Sequence, residues 1–477
     1  MTQTYELSDI HLVFTVALKQ ELPIDFLTEH QVPIITLKSL LSGGISSLNS
    51  PLGYLIIVTG VGYKNSQAAA HWICKHLAPK YVVNIGTTGN LSKHYSLGDL
   101  IIPHTLTAPN APQLSVDTRI PIPTSIPINY VDSLLSSPSR VAHAPDFDFI
   151  DMEAYYQAEI FQDADFSFHV IKCVSDYNDE FVDSMFERGL TFCRKQLTAL
   201  FQWMDHSAPQ ITVIIPVYNR EFSIKRCIDS VLSQSILPKD IIVIDDFSSD
   251  STVAKLQEYN SRITVVKLLE NHGVSFSRNL GVQYSNASWI SFLDSDDEWE
   301  PTKLENQLAY LKRYPFYQII QSQENWIRNG ETLTQKSYHK KQPGWIWKES
   351  LERCMVSPSS VLLSRELFSS FLGFDTDLPA CEDYDLWLRI TRYHPVGLDV
   401  SVSLTKYAGH DNQLSKIYPA MDQYRVKALI KLLEREKNNS YKKFIITILS
   451  KKLDILIKGS VKHDNQEKAQ YYENILK

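Results

Sequence analysis

Short apolar runs alternate with helical patterns along two separate stretches of this chain, and that alternation limits its fold more than any other feature. The first stretch covers residues 11 to about 173 and the second residues 211 to about 293. Alternating strands and helices are typical of α/β domains. A single hydrophobic core stops growing near roughly 250 to 300 residues, whereas this chain has 477 residues. We therefore predict two α/β domains in one chain.

The predicted strands are short and rich in β-branched residues. In the first stretch they are LVFTVAL, YLIIVTGVG, YVVNIGTTG, DLIIPHTL and FHVIKCVSD, and in the second ITVIIPVYN, DIIVIDDFS, ITVVKLLEN and SWISFLDSDD. The strands of the second stretch end in polar residues. Because ligands of open α/β sheets bind at the carboxyl ends of the strands, a site is expected at this edge.

Further segments complete the predicted organisation. The helical pattern TFCRKQLTALFQWM ends before Pro209, which disfavours a helical conformation at Ala208. We place the boundary there and predict domains at residues 1–206 and 207–415, followed by a basic helical tail at residues 416–477. Residues 107–145, rich in Pro and Ser, predict a long loop with little regular structure.

Composition and charge argue against several classes of protein. The N-terminal residues MTQTYELSDIHLVF lack the features of a signal peptide, and no run approaches the roughly 18 to 20 apolar residues that a membrane span needs. A net charge of -7 disfavours nucleic-acid binding, which usually requires a basic surface. The six cysteines form no CxxC pair, so we expect buried free thiols and no zinc site. These observations predict a cytoplasmic protein.

Five motifs follow one another in the second domain. They are IIPVYNR at 214–220, IVIDDFSSDST at 242–252, NHGVSFSRNLGV at 271–282, FLDSDDEW at 292–299 and CEDYDLWLRI at 381–390. Together they resemble the inverting family 2 glycosyltransferases of GT-A fold. The resemblance implies transfer of a sugar from a nucleotide-sugar donor.

The chemistry of such a transfer explains two of these residues independently of the resemblance. Expulsion of a diphosphate builds up negative charge, which a hard divalent cation held by oxygen ligands neutralises. Asp294 and Asp296 stand two positions apart at the end of a predicted strand and suit this role. We therefore expect Mn2+ or Mg2+ at these carboxylates.

The resemblance assigns roles to further residues. It implies a nucleotide-sugar site formed by Pro216, Tyr218, Asp245, Asp246, Arg278, Asp294 and Glu382. In that site one member of the Asp245 and Asp246 pair contacts the donor base. Inversion by direct displacement needs a general base for the acceptor hydroxyl. Asp383 resembles the family's base, with Glu382 as its supporting neighbour, and His410 resembles a late histidine that approaches the metal or the diphosphate.

The first domain carries a second series of motifs. They are ALKQEL at 17–22, VTGVGYKNSQAAA at 58–70, NIGTTGNL at 84–91, LGDLIIP at 97–103, FIDMEAYYQA at 149–158 and VSDYND at 174–179. They resemble the nucleoside phosphorylase superfamily, and within it the methylthioadenosine/adenosylhomocysteine nucleosidases. The resemblance implies cleavage of the N-glycosidic bond of a nucleoside.

Cleavage of that bond needs an acid at the leaving base, groups that hold the ribose, and a nucleophile. By resemblance, Asp176 is the acid and Glu21 orients a water molecule. The nucleoside-binding residues implied in the same way are Thr87, Met152, Glu153 and Ser175. Phosphorolysis would need an anion site, for which relatives use early arginines, but no arginine precedes Arg119. Water is therefore the expected nucleophile.

Two departures from the family pattern leave the role of the first domain open. GTTGN replaces the usual GSAGG, and residues 107–145 stand where relatives build part of the base pocket and the subunit contact. In one interpretation the domain hydrolyses a purine nucleoside, and this hydrolysis is the principal activity of the chain or an additional one. In the alternative it is a non-catalytic ligand-sensing or dimerisation module. A homo-oligomer through residues 1–205 is expected from the same resemblance.

The tail contains KFIITILSKKLDILIKG, in which apolar residues recur at helical spacing with lysines between them. One interpretation is a helix that lies on the membrane surface, which suits a lipid-linked acceptor. The interpretation that we favour is a helix whose apolar stripe packs on the transferase domain while its lysines stay in solvent. The sequence as a whole predicts a cytoplasmic, bifunctional enzyme that transfers sugar to a glycan or lipid-linked acceptor in surface polysaccharide synthesis.

Overall fold

The computed structural model describes residues 4–6, 10–42, 47–49, 54–92, 94–120, 122, 126–138, 144, 146–176, 182–204, 210–333, 340–409, 417–418 and 420–476. The chain divides into two compact units. The first consists of Met1–Ser207 with Lys312–Phe316, and the second of Ala208–Leu311 with Tyr317–Lys477. Both units are α/β, which confirms the predicted fold class.

The first unit is built on one mixed sheet. Its strands are β1 Thr4–Glu6, β2 Leu12–Val16, β3 Ile34–Thr36, β4 Ser47–Asn49, β5 Tyr54–Val58, β6 Tyr81–Asn90, β7 Leu100–Thr107, β8 Leu114–Ser115, β9 Ile128–Ser136, β10 Phe149–Asp151 and β11 Ser167–Asp176. Its helices are α1 Ile24–Glu29, α2 Leu37–Leu41, α3 Tyr63–His76, α4 Ala154–Phe161 and α5 Val182–Met204. The strand order is β10-β9-β7-β11-β6-β2-β5-β3, with β8 beside β7, while β1 and β4 pair separately.

Parallel pairing at the centre of this sheet brings distant motifs together. β6 runs parallel to β2 on one side and to β11 on the other. The β6 and β11 pairing extends from Tyr81 opposite Ser167 to Gly89 opposite Asp176. As a result, the carboxyl end of β11 lies beside the GTTGN segment at the end of β6. All five strands predicted for this stretch are confirmed.

The prediction of an irregular loop at residues 107–145 is wrong for much of its described part. β9 lies within it and pairs in parallel with β7 from Leu100 opposite Ile128 to Thr107 opposite Leu135. The short strand β8 pairs with Thr105 and Leu106 of β7. Val131 and Leu134 of β9 are buried in the core. The strand is stabilised by a partner that is distant in sequence, which a local Pro and Ser content does not reveal.

The second unit contains a further mixed sheet and a helical tail. Its strands are β12 Ile211–Val217, β13 Asp240–Asp245, β14 Thr264–Lys267, β15 Trp289–Phe292, β16 Glu298–Trp299, β17 Ile319–Arg328, β18 Glu331–Thr332, β19 Leu362–Ser364 and β20 Gly397–Ala408. Its helices are α6 Ile224–Leu232, α7 Thr252–Gln257, α8 Val274–Tyr284, α9 Lys303–Arg313, α10 Trp347–Glu352, α11 Arg365–Ser370, α12 Glu382–Thr391, α13 Asp422–Arg435, α14 Asn439–Lys462 and α15 Gln466–Leu476.

The strand order in this sheet is β14-β13-β12-β15-β19-β17-β20-β16, with β18 beside β17. The first four strands of that order are parallel, and β19 joins β15 in the antiparallel direction. Helix α8 approaches β12 closely, since a Cβ built on Gly281 would lie 2.4 Å from a side-chain carbon of Ile214. Because β12, β13 and β15 are parallel, the loops that follow them emerge at one edge of the sheet.

The tail helices bury their apolar stripe within the second unit. Leu429 of α13 and Ile445 and Leu453 of α14 belong to the same buried cluster as Tyr384 and Leu388 of α12. The predicted packing of the tail's apolar stripe is thus confirmed, although one lysine, Lys452, is buried and pairs with Asp422. No helix in the described ranges combines the length and the apolar character that crossing a bilayer requires.

Candidate active sites

The first candidate site lies at the carboxyl edge of the parallel strands in the second unit. Val217 at the end of β12 pairs with Asp245 at the end of β13, and Ile214 of β12 pairs with Phe292 at the end of β15. Because these strands run in one direction, the polar residues that follow them collect at the same edge. Pro216 is buried in β12, while Tyr218 follows that strand and is 45% exposed.

Arg278 of α8 connects two of the motifs at this edge. Its Nη1 donates to Oε1 of Glu382 at 2.7 Å, and its Nη2 donates to Oδ1 of Asp294 at 2.6 Å. The guanidinium is buried and also lies 5.0 Å from the ring centre of Phe374. Charge-assisted pairs of this kind are short and strongly oriented. Arg278 therefore holds the carboxylate after β15 close to the first turn of α12.

The pKa values of these carboxyl groups reflect their surroundings. Burial, and then the neighbouring Asp383, raise the pKa of Glu382 to about 7, although Arg278 acts in the opposite direction. Burial alone would also raise the pKa of Asp294, but Arg278 and Lys406 outweigh it and lower that pKa. Asp294 is thus held as a carboxylate.

Three acidic residues after β15 face cations that the sequence analysis did not single out. Arg220 Nε lies 3.8 Å from Oδ2 of Asp296. Lys406 Nζ lies 3.5 Å from Oδ2 of Asp297 and 4.0 Å from Oδ2 of Asp294. Lys406 lies in β20, far along the chain. The strand GLDVSVSLTKYA mixes polar and apolar residues, so its local sequence gave no signal that Lys406 faces the acidic residues.

The residues present fit a divalent cation by their chemistry. Asp294 and Asp296 offer hard oxygen ligands on one short loop, and a third carboxyl, that of Asp297, is so buried that burial raises its pKa to about 7. In the described part of the chain no three His, Cys, Asp or Glu side chains converge to enclose an ion. Mg2+ is commonly held by one or two carboxylates together with substrate phosphates, so an open pair of carboxylates is the expected arrangement. His410 lies outside the described residues.

The Asp245 and Asp246 pair divides its contacts between two loops. Both oxygens of Asp246 accept backbone N–H groups, from His272 at 2.7 Å and from Gly273 at 2.8 Å. Oδ1 of Asp245 accepts from the N–H of Ser248 at a longer 3.3 Å. Both carboxyls are buried. Asp246 therefore fixes the loop that leads into α8.

Asp383 stands in the first turn of α12. Unlike the buried Glu382, it is partly exposed, and its Oδ1 accepts from the N–H of Tyr384 at 2.7 Å. Its Oδ2 accepts a hydrogen bond from the thiol of Cys354 at 3.4 Å. The residue before the helix, Cys381, has a left-handed backbone with φ of 61°. Asp383 is thus the more accessible carboxyl of the two.

The second candidate site lies in the first unit. Oε1 of Glu21 accepts from the N–H of Thr87 at 2.9 Å and from its hydroxyl at 2.6 Å, while Oε2 accepts from the N–H of Leu18 at 2.8 Å. A Cβ added at Gly86 would lie 3.1 Å from this carboxyl. Glu21 is therefore fixed against the end of β6.

The four other predicted residues lie at the ends of β10 and β11. Glu153 Oε1 accepts from the N–H of Gly62 at 3.1 Å, and its Oε2 from the N–H of Met152 at 3.3 Å. The hydroxyl of Ser175 donates to Oδ2 of Asp176 at 2.8 Å. That same hydroxyl lies 3.4 Å from the backbone oxygen of Thr88, which follows Thr87. The structure thus brings the ends of β6 and β11 together.

Lys172 is a further charged residue of this site that the sequence analysis missed. It is buried, with Nζ 3.0 Å from Asp151 and 4.0 Å from Glu153. Burial alone would lower the pKa of Lys172, but Asp151, Glu153 and Glu21 raise it. Burial raises the pKa of Glu153 to about 7 despite the nearby lysine. The isolated lysine in the apolar strand FHVIKCVSD was the signal for this residue.

Comparison with known proteins follows the same division. Residues 212–369 match the model of Glycosyl transferase family 2, and residues 52–126 match that of the Phosphorylase superfamily. The chain is 33% identical over 191 residues to the Escherichia coli UDP-Glc:alpha-D-GlcNAc-diphosphoundecaprenol beta-1,3-glucosyltransferase WfgD, which covers 38% of this chain and 70% of the relative. It is 27% identical over 215 residues to the putative teichuronic acid biosynthesis glycosyltransferase TuaG of Bacillus subtilis, covering 44% of this chain and 84% of the relative.

Other relatives are matched over less of their length. The chain spans 31% of an uncharacterized glycosyltransferase of Rickettsia bellii and 61% of one of Haemophilus influenzae.

Two solved structures are also similar. S. aureus TarS 1-349 in complex with UDP-GlcNAc has a TM-score of 0.46 and 18% identity, over 55% of this chain and 79% of that one. A 5'-methylthioadenosine/S-adenosylhomocysteine nucleosidase from Neisseria meningitidis has a TM-score of 0.32 and 19% identity, over 40% of this chain and 96% of that one. On the family match and the identity to WfgD, which extends over most of that relative, this chain belongs to glycosyltransferase family 2.

Proposed function

We propose that the second unit transfers a sugar, with inversion, from a nucleotide-sugar donor to a glycan or lipid-linked acceptor. The observation that carries this proposal is the double ion pair of Arg278 with Asp294 and Glu382. It joins the motifs FLDSDDEW and CEDYDLWLRI at the edge of the sheet where ligands of α/β domains bind. The loop that carries Asp294, Asp296 and Asp297, called the acidic loop below, and the first turn of α12 therefore face a common substrate position.

In this proposal the chain's residues divide the work of a single displacement. Asp294 and Asp296 hold Mn2+ or Mg2+, which when bound neutralises charge on the leaving diphosphate. Asp383 accepts the proton of the acceptor hydroxyl as its oxygen forms a bond to the anomeric carbon. The bond from that carbon to the diphosphate oxygen breaks, and the diphosphate leaves with the electron pair. Arg278 and Lys406 keep the acidic loop in position.

Asp383 is favoured over Glu382 as the base because of their contacts. Glu382 is buried and one of its oxygens is occupied by Arg278. Asp383 is partly exposed. A general base must reach the proton that it removes, so the exposed carboxyl is the better placed.

The test is release of nucleoside diphosphate from a panel of nucleotide sugars, in the presence of Mn2+ or Mg2+ and candidate acceptors. We expect release with one donor, lost in Asp296→Ala and kept in the surface control Glu258→Gln. Glu258 is an exposed carboxyl that pairs with Lys225. Equal release by Asp296→Ala and the unaltered protein would refute the assigned site.

A contact with the membrane surface is proposed for the exposed side of α14. This basic face combines exposed lysines with exposed apolar residues and one exposed acidic residue, namely Lys443, Lys451, Lys458 and Lys462, then Phe444, Ile455 and Val461, and Asp454. Phe444 and Ile455 are 42% and 58% exposed. Juxtaposed lysines and apolar side chains suit an anionic lipid surface, and a lipid-linked acceptor would be found there.

Sedimentation with vesicles tests this contact. We expect binding to vesicles that contain phosphatidylglycerol, weaker binding to phosphatidylcholine alone, and loss of binding when Lys443, Lys458 and Lys462 are replaced by Glu. A control that replaces Lys225, Lys239 and Lys267 by Glu changes the net charge equally. Equal loss in both triple variants would mean a non-specific charge effect and not a binding face.

We propose a second function for the first unit, namely the hydrolysis of a purine nucleoside by water. The supporting observation is that Lys172, on the strand that carries Asp176, lies close to Glu21 and Glu153. Asp176 would protonate the leaving base, and Glu21 would orient the water that attacks the anomeric carbon.

The experiment measures free base released from a nucleoside panel that includes methylthioadenosine. We expect release that is lost in Asp176→Asn and kept in the exposed control Asp163→Asn. Nucleoside binding without release would favour the alternative of a ligand-sensing module. Sedimentation velocity of the full chain, with and without nucleoside, would then show whether the unit also acts in homo-oligomer formation.

A further inference from the structure

Phe247 has an unusual backbone for its residue type. It follows β13 directly after Asp245 and Asp246, and its φ is 71°. This left-handed region is disfavoured for bulky residues and readily adopted by glycine. A phenylalanine here costs free energy that a glycine would not, so its side chain should confer some compensating advantage.

The fold itself does not supply that advantage. The side chain of Phe247 is 54% exposed. Cys381 also has a positive φ, but it is buried at 5% exposure within an apolar cluster. Leu372 is exposed with a positive φ of 61°, yet it follows α11, where a left-handed residue is a common helix end. Phe247 has neither of these explanations.

The side chains of the residues on both sides of Phe247 are held by neighbouring loops. Asp246 accepts from the N–H groups of His272 and Gly273. On the other side, the hydroxyl of Ser248 accepts from the N–H of Asn219 at 2.9 Å. The loops after β12 and β14 therefore hold Phe247 in its strained conformation at the carboxyl edge of the sheet.

The position along the sheet indicates which ligand the ring would meet. The strand order is β13-β12-β15, so the end of β13 lies about 10 Å from the end of β15 at the usual strand spacing. The carboxylates proposed for the metal and the diphosphate follow β15. A nucleoside diphosphate that starts there and extends across β12 would place its base beside the end of β13.

We infer that the ring of Phe247 stacks on the nucleobase of the donor and is a binding residue of the transferase site. This inference rests on the proposed transferase function. Aromatic rings bind the faces of bases, whereas one carboxyl of the Asp245 and Asp246 pair would contact the polar groups at the edge of the base. The strained backbone is then retained for donor binding.

The experiment measures binding of UDP, GDP, ADP and CDP to the full chain by calorimetry in Mn2+, and continues with the nucleotide that binds most tightly. Loss of one base–aromatic stack should weaken binding by about tenfold or more in Phe247→Ala. Phe247→Trp should retain affinity. Binding of inorganic pyrophosphate, which has no base, should be unchanged in both variants. The control Leu237→Ala removes an exposed apolar side chain that precedes β13 and should have no effect.

Phe247→Gly separates a binding role from a structural one. Glycine relieves the left-handed strain, so the melting temperature should stay the same or rise while nucleotide affinity falls. Unchanged nucleotide affinity in Phe247→Ala would overturn the inference and leave the transferase proposal intact. An equal loss of pyrophosphate binding would also overturn it, because the loop would then have lost its shape. If the unaltered chain binds none of the four nucleotides, the transferase proposal fails and this inference fails with it.

Discussion

The two candidate sites differ in how their buried charges are balanced. In the second unit, the acidic loop of Asp294, Asp296 and Asp297 is met by Arg278, Arg220 and Lys406, which come from three different elements. In the first unit, one buried cation, Lys172, faces Asp151, Glu153 and Glu21. Among the described residues, several cations therefore share the balance of charge in the second unit, whereas Lys172 faces three carboxyls in the first. The loss of one cation should therefore matter more in the first unit than in the second.

The largest expected effect is on catalysis in the second unit. Asp383→Asn removes the proposed base, and general base catalysis contributes on the order of 10^3 in rate. We expect kcat for sugar transfer to fall by about that factor, with KM for the donor little changed. Glu382→Gln is the informative companion, since it should perturb Arg278 and donor binding more than the proton transfer. A greater loss of kcat in Glu382→Gln would reverse the assignment.

Stability should reveal the dependence of the first site on its one lysine. Lys172→Met leaves three buried carboxyls without their cation, and breaking a buried pair in this way costs about 3 kcal/mol. Lys406→Met should cost less, because it leaves one carboxyl, that of Asp297, without its cation, while Arg278 and Arg220 still pair with Asp294 and Asp296. Urea unfolding of the full chain measures both variants. Equal losses of unfolding free energy in the two variants would contradict the proposed difference between the two sites.

The pH dependence of stability should identify Glu153. Burial raises its pKa from 4.5 to about 7 in the folded chain. A raised pKa gives a contribution to stability that is fully present below about pH 4.5 and is lost as pH rises through about 7. We expect a loss of about 3 kcal/mol across this window, and a flatter profile in Glu153→Gln. An unchanged profile in that variant would assign the dependence to another group.

The smallest effect concerns one helical glycine in each unit. A Cβ at Gly189 of α5 would lie 2.0 Å from the backbone oxygen of Ser175, and a Cβ at Gly281 of α8 would lie 2.4 Å from a side-chain carbon of Ile214. Overpacking costs about 1 to 3 kcal/mol. Gly189→Ala should lie at the upper end because backbone yields less than a side chain, and it should also disturb Asp176. Melting temperatures of both variants check the order, which a greater loss in Gly281→Ala would contradict.

Local sequence patterns were sufficient to predict strands where a short segment is both buried and rich in β-branched residues. The strands LVFTVAL and ITVIIPVYN could be predicted because β-branched runs of that length have few other uses. The same patterns did not reveal β9, whose stability depends on pairing with β7. Nor did they reveal β17 and β20, which pair in parallel although residues 329–396 separate them. Strand pairing is non-local, so the segment alone carries little of the information.

By itself, the sequence determined the α/β class of both units, the family motifs and the acidic residues at the strand ends. These follow from periodicity and from residue types that a given chemistry requires. Only the tertiary structure decided that Arg278 joins Asp294 to Glu382, that Lys406 faces the acidic loop, and that Lys172 stands among three carboxyls. Ion pairs of this kind depend on which elements the fold brings within a few ångströms, and in the interior the cost of an unpaired charge makes those partners necessary.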